Sequence, residues 1–275
     1  MEYCLKVAKA LAREAGTAIL EAFHDRSTLQ VLEKREAHGL TSPVTTADFR
    51  ANGIICNGLK KSFPDDAFLS EETCEGADAA WYDAENVWII DPLDGTECFI
   101  QGGEDFGIHI GLTVRGIPTL GVNYYPVTDV IYWAVKGQGA WKQKGKEEKT
   151  RLLLQRSDGE VALVPLISKS DTVANEIFDK LSGSKATSVK YVGSAGLRLC
   201  AIAEGSYNIY LASAKRAGLW DFLSGEVILR EAGGFISDWN GDPIDYRRKD
   251  GKLPKGVIAC GSQEIYNSIA AQLKN

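Results

Sequence analysis

Leu5, Ala8, Ala12, Ala15 and Ile19 recur every three or four positions with charged residues between them. This spacing predicts an amphipathic helix over residues 2–24. The apolar period then stops, and a polar connector from His24 to about Leu40 is expected to be partly mobile. In Thr41-Ser42-Pro43-Val44-Thr45-Thr46-Ala47-Asp48, Pro43 imposes an extended entry. Thr45 or Thr46 then offers an N-cap to a helix that reaches about Phe63 and buries Ile54, Ile55, Leu59 and Phe63. Shorter apolar runs follow. Ala67–Ser70 predicts a strand ending in Glu71-Glu72, and residues 73–86 read as a polar loop. Trp88-Ile89-Ile90 reads as a buried strand that stops at Asp91-Pro92-Leu93-Asp94-Gly95-Thr96.

Strands are next expected at Phe106–Val114, Leu120–Tyr125 and Val130–Val135, separated by Gly/Pro turns. Lys136–Trp141 reads as a hairpin edge. The charged run Lys142–Lys149 suggests a domain boundary, dividing the chain into 1–145 and 146–275. The second half alternates. Strands are expected at Val161–Ile167, Ser188–Val192, Tyr207–Leu211, Phe235–Ser237 and Val257–Ala259. Helices are expected at Asp171–Leu181, Ala195–Ala203, Asp221–Ala232 and about 262–273. That βαβ rhythm indicates an α/β layer.

Composition narrows the partners. A quarter of the 275 residues are charged, the net charge is −6, and no basic block stands out. A nucleic-acid polymer is therefore not an expected partner. No apolar run is long enough for a bilayer, and the N-terminus lacks a signal-peptide core, so no membrane partner and a cytoplasmic location are expected. The six cysteines (4, 56, 74, 98, 200 and 260) include no C-x-x-C pair and read as buried free thiols. Monomer and homodimer are both compatible with the sequence.

The candidate chemistry lies in carboxylates at element ends. Asp91 and Asp94 flank Pro92, which holds Asp91 extended so that both side chains can enter one pocket. Two such carboxylates repel each other unless a cation neutralises them, and oxygen-only donors suit Mg²⁺ or Mn²⁺. The plain alternative is an acidic turn capping a strand. Haloacid-dehalogenase-type phosphatases carry a D-x-D-G-T motif with a nucleophilic first Asp. Here that position is Pro92, so an aspartyl-phosphate route is excluded. Asp48 and Asp221 each fall at a helix start, where a carboxylate either caps the helix or faces a site. Gly193-Ser194 opens another helix, whose free N–H groups favour phosphate; an ordinary capped turn is the alternative. None of the histidines (24, 38 and 109) lies in a motif.

Together, Ser42-Pro-Val-Thr-Thr-Ala-Asp48, Ser70-Glu71-Glu72, Trp88-Ile-Ile-Asp91-Pro-Leu-Asp94-Gly95-Thr96, Trp220-Asp221 and Glu231-Ala-Gly-Gly resemble the Mg²⁺-dependent, Li⁺-sensitive phosphatase superfamily of inositol monophosphatase. The resemblance implies a five-layered αβαβα sandwich, α+β in its first part and α/β in its second, with the site between them. It implies two or three Mg²⁺ ions, with Mn²⁺ as a substitute. Glu71 would bridge metals. Asp91, the Leu93 carbonyl and Thr96 would complete one site, and Asp91, Asp94 and Asp221 another. Glu71 and, through water, Asp48 would serve a third. Thr96, bonded to Asp48, would orient the attacking water, and Glu72 would stand behind the ligands.

The substrate implied is a small phosphorylated molecule. Ser42-Pro43-Val44-Thr45, Phe99-Ile100, Trp141-Lys142 and Ile167-Ser168-Lys169-Ser170 resemble the 3′(2′),5′-bisphosphate nucleotidase branch. The implied reaction releases AMP and phosphate from 3′-phosphoadenosine 5′-phosphate. Asp94, Gly95, Thr96, Ser168, Lys169, Gly193, Ser194, Arg198 and Asp221 would contact the substrate. Glu97-Cys98 and Gly196-Leu197-Arg198 depart from that branch's Lys-Glu and Gly-x-Lys, and Phe222 resembles histidinol-phosphatase relatives. Inositol monophosphate and histidinol phosphate are the alternative substrates. A binding protein without turnover is the alternative from another class, although every ligand position keeps its carboxylate.

Overall fold

The computed structural model describes residues 1–35, 41–73, 81–154, 165–167, 171–176, 190–214 and 217–273. Helix α1 (Glu2–His24) leads into the hairpin of β1 (Val31–Arg35) and β2 (Thr41–Thr45), and α2 (Thr46–Ser62) follows. Seven strands then lie side by side in chain order. They are β3 (Ala67–Ser70), β4 (Asn86–Asp94), β5 (Gly107–Val114), β6 (Ile117–Tyr125), β7 (Val130–Val135), β8 (Ala140–Lys144) and β9 (Thr150–Leu152). The β3–β4 pair is parallel and the others are antiparallel. The short helix α3 (Thr96–Ile100) hangs from the end of β4.

A smaller sheet follows, with order β11-β10-β12-β14-β13. Its strands are β10 (Pro165–Ile167), β11 (Lys190–Tyr191), β12 (Ile209–Ala212), β13 (Phe235–Asp238) and β14 (Val257–Cys260). The parallel pairs β10–β11 and β10–β12 fit the expected βαβ rhythm; β14 is antiparallel to both of its neighbours. A helical turn over 172–176 (α4), α5 (Ala195–Ala203), α6 (Leu219–Glu231) and α7 (Gln263–Leu273) are the remaining described α-helical segments.

Side-chain alternation sets the layers. Trp88 and Ile90 of β4, with Ile108, Ile110 and Leu112 of β5, face Ala12, Ile19, Ile55 and Leu59 of α1 and α2. Val87 and Ile89 point the other way, into a core with Leu199 of α5 and Leu223, Val227 and Ile228 of α6. The far side of those helices meets Tyr210 of β12 and Ile236 of β13. Ile209, Leu211 and Ile258 look outward to Ala174, Ile265 and Ile269. The result is helices, sheet, helices, sheet, helices: the five-layered αβαβα sandwich. β4 is covered on both faces, which explains its unbroken apolar run. Each such aliphatic side chain contributes about 1.5–3 kcal/mol by burial.

Several expectations change. The connector after His24 contains β1, whose alternation is hidden because Val31 and Leu32 remain exposed. The loop 73–86 carries Trp81, buried in the core beside Leu69. Ile54 and Phe63 are only partly buried. β8 is not an edge, since β9 pairs outside it; the charged run forms the turn of that hairpin. Cys4, Cys56 and Cys98 are half-buried, and only Cys200 and Cys260 are fully buried among the described thiols.

Candidate active site

Three elements deliver four carboxylates to one place. β4 ends in Asp91 and Asp94, β3 runs into Glu71, and α6 begins two residues before Asp221. Asp91 is fully buried, and its Oδ1 accepts the Leu93 N–H at 3.0 Å, which fixes the turn around Pro92. Gly95 lets the chain leave that turn. Its φ is +92°, and a Cβ there would lie 2.6 Å from the Asp105 carbonyl oxygen.

Burial first, then the charges of Glu71, Asp94 and Asp221, push the Asp91 carboxyl well above the usual carboxylate range. Burial first, then Asp94 and Glu71, do the same to Asp221, while the Gly218 N–H and Lys252 oppose the shift. These acids therefore feel one another, with Asp91 and Asp94 buried and Glu71 half-buried. Such a set is costly when fully ionised and becomes favourable around a divalent cation. The residues fit a hard cation through their oxygen-only donors and their mutual repulsion.

Asp48 and Asp221 share one device. Each is the third residue of its helix and accepts the N–H of the residue before the helix. Asp48 Oδ2 takes the Thr45 N–H at 2.8 Å and the Thr45 hydroxyl at 2.6 Å. Asp221 Oδ2 takes the Gly218 N–H at 2.6 Å. One oxygen caps; in Asp48 the other faces Thr96, whose hydroxyl lies 3.1 Å from Oδ1 and 3.0 Å from the Leu93 carbonyl. The capping reading of Asp48 thus holds, and its second oxygen is left to accept the Thr96 hydroxyl. Burial, set against the Thr45 bonds, raises Asp48 to about 6. Glu71 and Glu72 both lie beside Lys34, at 3.9 and 3.6 Å.

The expected phosphate-binding helix start is used otherwise. Ser194 is buried, caps α5 by accepting the Leu197 N–H, and donates to Asp94 Oδ2 at 2.5 Å. The Gly196 N–H donates to the same oxygen at 3.1 Å. Asp94 occupies the place expected for phosphate, because a carboxylate satisfies the same donors. Gly193 lies against the Asp105 carbonyl and Cys98.

Arg198, expected at the substrate, is engaged within the protein. Its guanidinium is buried and donates to the Val192 and Gly193 carbonyls and, at 2.8 Å, to the Tyr210 hydroxyl. A cation with its donors so engaged holds the turn before α5 rather than a substrate. Ser168 and Lys169 lie outside the described residues.

One neighbour escaped the sequence reading. His109 on β5 stands directly opposite Asp91 in the sheet, with Nε2 3.4 Å from Asp94 Oδ2. Burial lowers its pKa against the opposing pull of Asp94. Atoms of Asp91, Asp94 and His109 fall within 4.8 Å of one another. The missing signal was the β4–β5 register, which no motif records.

The family model described as "Inositol monophosphatase family" matches residues 1–275. The chain is 35% identical over 248 residues to the 3′(2′),5′-bisphosphate nucleotidase CysQ of Escherichia coli strain K12, covering 90% of this chain and 95% of that one. It is 32% identical to inositol monophosphatase 3 of Solanum lycopersicum, covering 89% of each. Among solved structures it is similar to the extragenic suppressor protein suhB of Bartonella henselae. That match has a TM-score of 0.81 and 28% identity, covering 99% of each chain. No helix among the described residues is long and apolar enough to cross a membrane.

Proposed function

The chain belongs to the inositol monophosphatase family, and from that premise we propose that it is a divalent-metal-dependent phosphomonoesterase acting on a 3′(2′),5′-bisphosphate nucleotide such as 3′-phosphoadenosine 5′-phosphate. The carrying observation is the convergence of Glu71 and Asp221 on the buried pair Asp91 and Asp94 in one mutually repelling cluster. The 35% identity to a bisphosphate nucleotidase over 90% of the chain supports the substrate class.

Glu71, Asp91, Asp94, Asp221 and the Leu93 carbonyl would hold Mg²⁺ or Mn²⁺. Such ions neutralise phosphoryl charge, lower the pKa of water and stabilise a leaving alkoxide. This chain's own residues do the rest. Thr96, placed between Asp48 and the Leu93 carbonyl, orients the attacking water. Asp48 fixes that hydroxyl while its second oxygen is tied to the helix cap. Ser194 and Gly196 keep Asp94 aimed, since both hold the same oxygen.

The test is phosphate release from 3′-phosphoadenosine 5′-phosphate, inositol 1-phosphate and histidinol phosphate at matched concentrations with Mg²⁺. The nucleotide is expected to be fastest. Faster turnover of inositol 1-phosphate would move the chain to the activity named for its tomato relative. No release from any of the three would remove the phosphomonoesterase reading.

A further inference from the structure

His109 is fully buried, yet neither ring nitrogen has a hydrogen-bond partner among the described residues. A core histidine is ordinarily satisfied through at least one nitrogen. Here the ring is instead delivered to the acidic cluster by backbone register. β4 and β5 pair so that Asp91 and His109 are direct cross-strand partners on one face of the sheet. Nε2 then lies 3.4 Å from Asp94 Oδ2. Two donors each about 2.0–2.2 Å from one ion reach such a separation at an angle somewhat wider than a right angle. α5 is shaped for the ring as well. A Cβ on Gly196 would stand 2.3 Å from His109 Nε2, so only glycine leaves the imidazole its place. Ser194 and Gly196 hold the same Asp94 oxygen, and carboxylates that bind metals are commonly hydrogen-bonded as well.

We propose that His109 supplies an imidazole nitrogen to the cation held by Asp91 and Asp94, giving that site a mixed nitrogen–oxygen donor set. Imidazole nitrogen binds first-row transition-metal ions, Mn²⁺ least among them, better than it binds the oxygen-seeking Mg²⁺. The site therefore prefers Mn²⁺, Co²⁺ or Zn²⁺ over Mg²⁺ more strongly than carboxylates alone would make it. This rests on the metal-centre reading above.

The experiment is pulsed electron paramagnetic resonance on the whole protein, stripped of metal and loaded with one equivalent of Mn²⁺. It is run with natural-abundance and with ¹⁵N-histidine-labelled protein. Imidazole nitrogen modulation that changes with the label is expected in the unsubstituted protein, so the result does not depend on any variant folding. His109→Asn and Gly196→Ala should both lose it. In both, the Mn²⁺-over-Mg²⁺ affinity ratio should fall by about tenfold or more. Bound Mn²⁺ without nitrogen modulation overturns the inference while leaving the carboxylate centre standing. Modulation that persists in His109→Asn overturns it too. If Mn²⁺ does not bind at all, the inference and the metal-centre reading fall together.

Discussion

The hydroxyl of Ser194 donates to Asp94 Oδ2 at 2.5 Å across 100 residues of sequence, tying the end of β4 to the first turn of α5. A single carboxylate thereby meets a helix start in the second half of the chain and belongs to an acidic cluster drawn from both halves. Ser194→Ala removes both the cap and this tether. Stability should fall by about 1–2 kcal/mol and Mn²⁺ affinity by about tenfold. Urea unfolding and metal titration measure the two effects separately. Unchanged metal affinity would mean that the Gly196 N–H suffices to aim Asp94.

Asp94→Asn keeps an oxygen that can accept from Ser194 and Gly196, so the fold should survive. The charge is lost, and turnover should fall by about 10³-fold or more. Circular dichroism together with a phosphate-release assay checks both. Activity near that of the unsubstituted protein would remove Asp94 from its assigned role.

Thr96→Ala should lower kcat by about 10²-fold with little change in KM, because the hydroxyl between Asp48 and Leu93 is gone. Thr96→Ser retains that hydroxyl and should recover most of the rate. Equal loss in both variants would show that the methyl packing, rather than the hydroxyl, matters.

Burial raises Asp48 to about 6, above its ordinary 3.8. The folded protein therefore binds this proton more tightly than the unfolded chain. Its stabilising contribution is full below about pH 4 and is lost as pH rises through 6. The change is about 3 kcal/mol for the metal-free protein. Asp91 and Asp221 shift in the same direction, so the difference between the unsubstituted protein and Asp48→Asn isolates this group. Urea midpoints from pH 4 to 7 supply the comparison; parallel profiles would contradict it.

Arg198→Met should cost about 2–4 kcal/mol, since the Val192 and Gly193 carbonyls and the Tyr210 hydroxyl lose their donor in a buried place. KM should stay essentially unchanged. A raised KM with unaltered stability would return Arg198 to the substrate.

The strand ends and helix starts that carry Glu71, Asp91, Asp94, Asp48 and Asp221 were legible because each depends on neighbours a few residues away. Pro92 and Gly95 shape one turn, Thr45 opens α2, and apolar runs mark the strands. The β1 strand was not legible, because Val31 and Leu32 stay exposed and give no buried period. Trp81 was hidden for the opposite reason: one aromatic in a polar stretch becomes a core residue only when distant strands close over it.

The sequence by itself determined which acids stand at element ends, because local backbone sterics and helix capping act over three or four residues. The tertiary structure alone decided what those ends meet. It turned Ser194 toward Asp94, spent Arg198 on carbonyls and set His109 opposite Asp91. These pairings follow from sheet register and from a helix seated between two sheets. Contacts of that kind join residues far apart in the chain, and no short-range preference encodes them.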